Sequence, residues 1–459
     1  MTTADAIAKA VTALAADGAP PLQRAPELEM KNAPSVRVFV AAHHAAINAI
    51  LCDEERFSLR HYDELLAQVA GPTRYLVGEN DDARKLRLRL LHAAQGHVDA
   101  VRRPAAVPND PLPPNLALGY RDFIATIARD EASRILKVLA VRGQTGSPVN
   151  FAREYAFLLA YRMARRVVGV SGPDKAPLLV WLMIAYRNWT QAGPKVSLKG
   201  EAGTATTMLA LLHPLFGHVF GTVVKSTAVM RAITANTARH ALASFDLALD
   251  KPHLAPPQSL LAGLHAVRGQ FPEVSDEHYR VQSRSVLFEL AGALVLIVGK
   301  SLGEIAGFAV SPQGHAAGID WPGLVERLAV DDPTRTSHDA VINEMLRLGS
   351  SSQLVRTVRN DCTWQGVALN AGDRVLLHID QASHDPAAFA QPERFAPAPD
   401  RPYITSGPLQ GPHVCYGRAI AWTIMREAIV ATRGQIDPVK GASLSAFLAL
   451  PDNLAFTAA

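Results

Sequence analysis

The stretch that decides the fold is Gly411-Pro412-His413-Val414-Cys415-Tyr416-Gly417-Arg418, an irregular loop that becomes a helix just after its cysteine. A thiol at the start of a helix is favoured as thiolate, because free backbone N–H groups and the helix dipole stabilise negative charge. Gly411 and Gly417 let the backbone approach a flat, bulky group closely. A single cysteine of this kind is more often a small buried hydrophobic residue, so its interpretation depends on the surrounding motifs.

Four further motifs precede the cysteine loop in a fixed order. Glu344-Met345-Leu346-Arg347 places an acid and a base three residues apart on a predicted helix, where the two side chains can pair. Arg356 then opens the run 356–361, and His384-Asp385-Pro386 and Pro392-Glu393-Arg394-Phe395 follow. Each motif by itself is weak, since an acid–base pair on a helix is usually a solvated surface contact. The information lies in their order and spacing.

The rest of the chain predicts a mainly α fold with a small β portion. Helical periodicity dominates from about residue 120 to residue 300, and residues 283–308 form a nearly continuous apolar helix. At the helical rise that segment spans roughly 40 Å, enough to cross a whole domain. Strand-like runs occur near both ends of the chain, at 36–40, 354–358, 367–369 and 374–379. We therefore expect a single domain over 1–459, with a β lobe from about 30–60 and 350–400, a helical lobe from about 80–345, and a ligand loop at 405–418.

Composition excludes several classes of protein. The chain has 459 residues, and 46 Lys and Arg against 42 Asp and Glu give a net charge of +4, too small to argue for a nucleic-acid partner. Three cysteines exclude a disulfide-stapled scaffold. The N-terminal residues lack the pattern of a secretory signal, and the apolar segment 206–224 reads as an amphipathic helix rather than a membrane span. These features predict a cytoplasmic protein without a membrane span.

Taken in order, the motifs make the chain resemble the cytochrome P450 superfamily, most strongly from residue 339 to residue 434. The resemblance implies a cytochrome P450 fold, with the long central helix lying over a haem b cofactor. It implies that Cys415 is the thiolate ligand of the haem iron, in a loop that includes Gly417. Thiolate ligation pushes electron density onto iron and favours O–O cleavage.

The resemblance also assigns roles to charged residues. Arg356 and His413 are expected to bind the haem propionates, and Arg87 to supply a further contact, with Lys85 or Arg84 as alternatives. Two carboxylates in an apolar site need such partners. Glu344 and Arg347 are expected to form a buried pair, which Arg394 joins as a third member that holds the cysteine loop.

Two positions depart from the family pattern. The loop usually has a Phe seven residues before the cysteine, and here Pro408 stands there. The long helix carries no acid–alcohol dipeptide in the stretch 298–305, which the sequence predicts to be its middle. The candidate catalytic residues there are Lys300, Ser301, Gly303 and Glu304. Lys300 either receives a substrate carboxylate or simply pairs with Glu304 along the helix, and Glu304 is the alternative proton relay.

Three functions remain open from the sequence. The first is a monooxygenase that oxidises an apolar small molecule with dioxygen and electrons from a separate ferredoxin and reductase. The second is a peroxide-dependent enzyme, either a peroxygenase or a fatty-acid hydroperoxide isomerase. It is suggested by the missing dipeptide and by a resemblance of the C-terminal half to the haem-thiolate domain of fungal fatty-acid diol synthases. Against that resemblance, their fused dioxygenase half is absent, and no Asn or Gln lies between Ser285 and Ser311. The third is a non-catalytic haem sensor. A monomer is expected in each case.

Overall fold

A computed structural model describes residues 3–15, 19–30, 36–64, 76, 78–102, 118–143, 148–169, 196–198, 242–243, 245–350, 352–405, 407–408, 413–447 and 450–458. The apolar segment 206–224, which the sequence predicts as an amphipathic helix, lies outside these residues.

Helices make up most of the described chain, as the sequence predicts. Many begin at a side chain that accepts a backbone N–H of the first turn, which satisfies a donor that has no partner within the helix; these residues are Ser259, Ser275, Ser311 and Asp320. The α-helices are α1 (Thr3–Leu14), α2 (His44–Cys52), α3 (Asp82–Arg102), α4 (Leu118–Gly143), α5 (Phe157–Met163), α6 (Leu260–Val267), α7 (Asp276–Ala293), α8 (Gly299–Ala309), α9 (Pro312–Ala317), α10 (Trp321–Ala329), α11 (Thr336–Gly349), α12 (Ile379–Ser383) and α13 (Arg418–Ala431).

The strands are short and come from both ends of the chain. They are β1 (Gln23–Arg24), β2 (Leu28–Met30), β3 (Val38–Ala41), β4 (Phe57–Ser58), β5 (Val149–Asn150), β6 (Val196–Leu198), β7 (Gln353–Val358), β8 (Cys362–Trp364), β9 (Val367–Leu369), β10 (Arg374–His378), β11 (Ile436–Pro438), β12 (Ser445–Phe447), β13 (Leu450–Asn453) and β14 (Ala455–Ala458). The largest described sheet has the order β1-β3-β10-β7-β4. Its β3–β10 pair is parallel, with Val38 opposite Arg374, so it joins the N-terminal strands to the C-terminal motifs.

The helical core surrounds the long apolar helix. That helix consists of α7, a π-helical segment (Leu294–Val298) and α8. It packs against α5, and α13 packs against α4. At one end, the rings of Phe151 and Phe456 stack at a centroid distance of 4.7 Å, and Trp321 packs edge-to-face against both at 5.4 Å. The mainly α fold with a small β portion is therefore confirmed.

The apolar character of the long helix reflects its place in the core. Within the part of the chain that the structure describes, Asp276–Ala309 is long and apolar enough for a membrane span by length and composition. However, 67% of the most apolar 18-residue stretch of this helix is buried inside the protein. A helix buried on all sides in a large domain has the same composition.

Helix α11, which carries the predicted acid–base pair, is held at its start by Asp332. One carboxylate oxygen of Asp332 accepts hydrogen bonds from the Ser337 backbone N–H and hydroxyl, at 2.7 and 2.6 Å. The other accepts from the Thr334 backbone N–H and hydroxyl, at 3.0 and 2.7 Å. Burial raises the pKa of Asp332, but the bonds from Ser337 and Thr334 outweigh it and hold the pKa well below its usual range.

Replacing Asp332 by Ala is expected to cost about 0.5–2 kcal/mol of folding stability, as the loss of a helix-capping carboxylate typically does. Urea unfolding at neutral pH measures the change. Because the folded pKa is depressed, the stabilisation is present above the unfolded value of about 3.9 and is lost as the pH falls through the folded pKa. The difference in the free energy of unfolding between Asp332→Ala and wild type should therefore become smaller below about pH 4. Exposed Asp331 gives the matched control, and equal losses for both Ala variants would contradict the capping role.

Candidate haem-binding site

Cys415 lies three residues before Arg418, the first residue of α13, with Gly417 as the residue that caps the helix. Burial raises the pKa of the Cys415 thiol, whereas the charge of Arg418 and hydrogen bonds from the backbone N–H groups of Gly417 and Arg418 lower it. Cys415 forms no disulfide. A Cβ at Gly417 would have no heavy atom within 4 Å, so the backbone beside the sulfur borders open space. The local arrangement offers a soft sulfur ligand to a bulky group.

A group of buried cations lies near the cysteine loop. Arg356, on β7, is 4% exposed, and Arg87, on α3, is fully buried. Burial lowers the pKa of both guanidinium groups. Arg87 donates from Nη1 to Gln282 Oε1 at 2.8 Å, and Arg356 donates from Nη1 to the Val355 carbonyl at 3.0 Å. In the described chain no carboxylate lies within ion-pair distance of Arg356. A buried guanidinium without a carboxylate is costly, and it suits an anionic ligand.

His413 stands among the same cations. Burial, together with the charges of Arg84, Arg356 and Arg359, lowers the pKa of His413 to about 3. Its Nε2 lies 3.0 Å from Glu54 Oε1, but that oxygen has no hydrogen bond of good geometry. The electrostatic influence of these arginines on His413 shows that α3, β7 and the cysteine loop converge here. The structure thus brings together Cys415, His413 and Arg356, three of the residues that the resemblance assigns to haem.

Helix α3 contributes a second buried cation to the site beside Arg87. Arg84 is 4% exposed and donates from Nε to the Leu76 carbonyl at 2.7 Å. Lys85 is instead exposed and pairs with Asp82 at 3.1 Å. Of the three alternatives on α3, Arg84 and Arg87 therefore face the site and Lys85 faces solvent.

These residues fit a haem. The Cys415 sulfur would ligate the iron, and the buried cations Arg84, Arg87 and Arg356 would supply partners for two propionates. When bound, haem iron supplies oxidation chemistry that no side chain of the protein can perform. The protein's own contributions are a sulfur ligand, counter-charges for the carboxylates, and an apolar surrounding.

Glu344 and Arg347 form a fully buried pair on α11. Both side chains are 0% exposed, and two parallel hydrogen bonds of 2.9 Å join them. Burial raises the pKa of Glu344, but hydrogen bonds from Arg347 and the Ala396 backbone N–H hold it below its usual value. Arg347 also donates to three backbone carbonyls ahead of the cysteine loop; these belong to Ser383, Pro392 and Arg394, at 2.7, 2.6 and 3.2 Å.

The third member of this network differs from the sequence prediction. The Arg394 side chain is exposed, and only its backbone carbonyl takes part. Arg401 occupies the predicted place, with Nη1 3.1 Å from Glu344 Oε1. The chain turns after Phe395, so that the Ala396 N–H and the Arg401 side chain both reach Glu344. Spacing along an irregular segment does not reveal which of two nearby arginines turns inward.

The candidate catalytic residues of the long helix lie on α8. Lys300 Nζ is 2.6 Å from Glu304 Oε1, and Ser350 donates from its hydroxyl to Glu304 Oε2 at 2.9 Å. Gly303 faces the β12–β13 hairpin so closely that a Cβ would lie 2.5 Å from Pro451 Cβ. Ser301 is buried. The structure thus places these residues where α8 meets α11 and the hairpin, and their catalytic assignment stays a prediction.

A different acid on the long helix lies nearer the cysteine. Glu289, on α7, acts electrostatically on Cys415, Arg84 and Arg87, and it accepts a hydrogen bond from the Leu76 backbone N–H. Glu304 is fifteen residues further along, roughly 22 Å at the helical rise. The long helix therefore meets the cysteine side of the site near Glu289. The sequence contained a signal for it, since Glu289 is the sole charged residue from 286 to 298.

The comparisons with known proteins agree with this geometry. Residues 336–431 match the family model described as Cytochrome P450. A curated relative, vitamin D(3) 25-hydroxylase of Pseudonocardia autotrophica, is 25% identical over 293 residues. That match covers 62% of this chain and 57% of the relative's length.

Solved structures resemble the whole chain. P450BioI in complex with an acyl carrier protein ligated to hexadec-9Z-enoic acid has a TM-score of 0.66 at 15% identity, covering 99% of this chain and 98% of that one. A myxobacterial cytochrome P450 in complex with myristic acid has the same TM-score at 16% identity, with the same coverage. Identities this low show the fold alone. The family-model match covers Glu344, Arg347, Arg356 and Cys415, and the structural similarity over the full length shows the cytochrome P450 fold.

Proposed function

We propose that the protein is a haem-thiolate monooxygenase that inserts oxygen from dioxygen into an apolar small molecule. Electrons would come from a separate ferredoxin and reductase, because the sequence carries no recognisable flavin or iron–sulfur motif. The hydroxylase activity named for the Pseudonocardia relative supports this class of reaction.

The observation that carries the proposal is the convergence of the half-buried Cys415 thiol and buried cations on one place. Cys415 at the start of α13 gives the strongly donating sulfur that O–O cleavage needs. Arg356 has no carboxylate partner in the described chain and is 4% exposed, so it needs an anion. A metal ion bound by side chains alone would not require these arginines.

The proposal of an apolar substrate rests on the long helix. From Leu290 to Val298 its side chains are aliphatic or absent, and Ile297 is 52% exposed although its neighbours Leu296 and Val298 are buried. A large aliphatic side chain exposed within a core helix offers contact surface for an apolar ligand.

The proposal is tested first by optical titration of the ferric holo-protein with fatty acids, terpenoids and aromatic compounds. A compound that shifts the Soret band is then incubated with NADPH, ferredoxin, ferredoxin reductase and isotopically labelled dioxygen. We expect a product that carries one labelled oxygen atom. If no oxidised product forms with this system or with peroxide, an enzymatic role is contradicted, and a haem sensor remains.

A second candidate, a peroxide-dependent enzyme, has one specific observation in its favour. The centre of the long helix as the structure defines it, Ala291–Val295 with the π-helical segment, contains neither an acid nor an alcohol side chain. A group that delivers protons to bound dioxygen is therefore missing from this stretch, and a peroxide already contains the protons. Turnover with hydrogen peroxide or a fatty-acid hydroperoxide alone, and none with dioxygen and reductase, would replace the first proposal by this one.

A further inference from the structure

Arg418 stands three residues after Cys415, at the first position of α13, and its guanidinium is fixed against the cysteine loop. Its Nη2 donates to the Pro408 carbonyl at 3.2 Å. Its Cζ lies 5.6 Å from the centroid of the Trp422 ring, one turn further along the same helix. Its Nε is buried without a hydrogen-bond partner. Two contacts, the hydrogen bond to Pro408 and the contact with the Trp422 ring, thus hold the charged group in one orientation.

The charge of Arg418 has an unusual counter-charge. Within the described residues no carboxylate lies at ion-pair distance from it, in contrast to the partly buried Arg121, which pairs with Asp339 at 2.6 Å, and to Arg426, which pairs with Glu427. Burial lowers the pKa of Arg418, and Cys415 is the one group that opposes this effect. A guanidinium stays protonated in proteins, so it needs an anion nearby. Among the described residues, the group that acts favourably on its charge is Cys415, whose sulfur is an anion when it ligates iron.

Pro408 contributes one of the two contacts of the guanidinium. The position seven residues before the cysteine is expected to carry an aromatic ring that packs near the sulfur, and a proline stands there instead. A proline has no backbone N–H to donate, but its carbonyl is free to accept. That carbonyl accepts from Arg418. Arg418 therefore contacts the position of the departure through the main chain.

We propose that Arg418 is a positioning residue that places a permanent positive charge beside the Cys415 thiolate and thereby raises the reduction potential of the haem iron. Reduction adds one electron to the haem iron and its thiolate ligand and makes their combined charge more negative. A fixed positive charge stabilises the reduced form more than the oxidised form, all the more in a site of low dielectric constant. The proposal rests on the haem-thiolate assignment above.

The test compares holo-proteins with Arg418→Gln, Arg418→Met and Arg418→Lys. The midpoint potential is measured by spectroelectrochemical titration, and the Soret position of the ferrous carbonyl complex is recorded. We expect the two neutral variants to be harder to reduce, with the ferric-to-ferrous ratio at a fixed potential raised about tenfold, or about 59 mV for a one-electron couple. The Lys variant should keep most of the wild-type potential. Arg433→Gln is the control, since it removes an exposed charge that pairs with Glu326.

Each outcome decides the question. Equal potentials in wild type and the neutral variants, or equal shifts in the Lys and neutral variants, would overturn the proposal, because a role in shape alone predicts the second result. If the neutral variants fail to retain haem while the Lys variant retains it, the need for charge is supported. Loss of haem in all three variants would contradict it. A wild-type carbonyl spectrum without thiolate character would instead refute the haem-thiolate assignment itself.

Discussion

Replacing Arg347 by Met is expected to lower the free energy of unfolding of the holo-protein by about 3–5 kcal/mol, the usual cost of removing one partner of a buried ion pair. The Glu344 carboxylate would remain 0% exposed, with only Arg401 as a cation at its side. The three backbone carbonyls that now accept from Arg347 would lose their donor as well. Because two of them lie in the segment that leads to the cysteine loop, we also expect weaker retention of haem.

Urea unfolding of the haem-saturated protein measures this change. The double variant Glu344→Gln/Arg347→Met should be less destabilised than the sum of the single variants, since no unpaired charge remains buried. Arg433→Met removes a cation from an exposed pair and should change stability by less than about 1 kcal/mol. A loss for Arg347→Met as small as that of Arg433→Met would contradict the role of the buried pair.

Replacing Arg356 by Met is expected to speed the loss of haem by about one to two orders of magnitude, since a hydrogen bond to a charged group contributes about 1.5–3 kcal/mol. The rate of haem transfer to excess apomyoglobin measures this effect. The haem-free protein, in contrast, should not be destabilised by this change. Arg356 is buried without a carboxylate partner within the described ranges, so its removal should leave the apo-protein as stable as before or more stable.

Arg359 provides the control for this experiment. It lies on the same segment, its side chain is 36% exposed, and it pairs with Glu79. Arg359→Met should therefore leave the rate of haem loss nearly unchanged. If Arg356→Met destabilises the apo-protein and leaves haem loss unaltered, Arg356 has a structural role and does not bind a propionate.

The sequence was most informative where chemistry and local structure coincide. The pair on α11 follows from a spacing of three residues on a helix, and the position of Cys415 before α13 follows from the glycines and the helical pattern beyond. The strands β9 and β10 were predicted within one residue of their observed ends, because a turn with Gly372 at positive φ separates them. Local rules suffice for such features.

Features that depend on tertiary structure were harder to predict. The choice of Arg401 over Arg394 depends on the path of an irregular segment, which has no periodicity to read. The sequence predicts the middle of the long helix near 298–305, whereas the helix spans Asp276–Ala309 and its π-helical segment begins at Leu294. Because helix ends are poorly defined by sequence, the predicted middle contains Lys300 and Glu304 and leaves out Glu289. The absence of an acid–alcohol pair holds for both stretches.

The most direct measurement of the central claim is the spectrum of the ferrous carbonyl complex in wild type and in Cys415→Ser. Cys52→Ser and Cys362→Ser serve as controls, because these are the other free cysteines of the chain. We expect wild type and both controls to show the red-shifted Soret band of a thiolate-ligated carbonyl haem, and Cys415→Ser to lack it. A spectrum that is unchanged by Cys415→Ser would show that another residue holds the iron and would contradict the account.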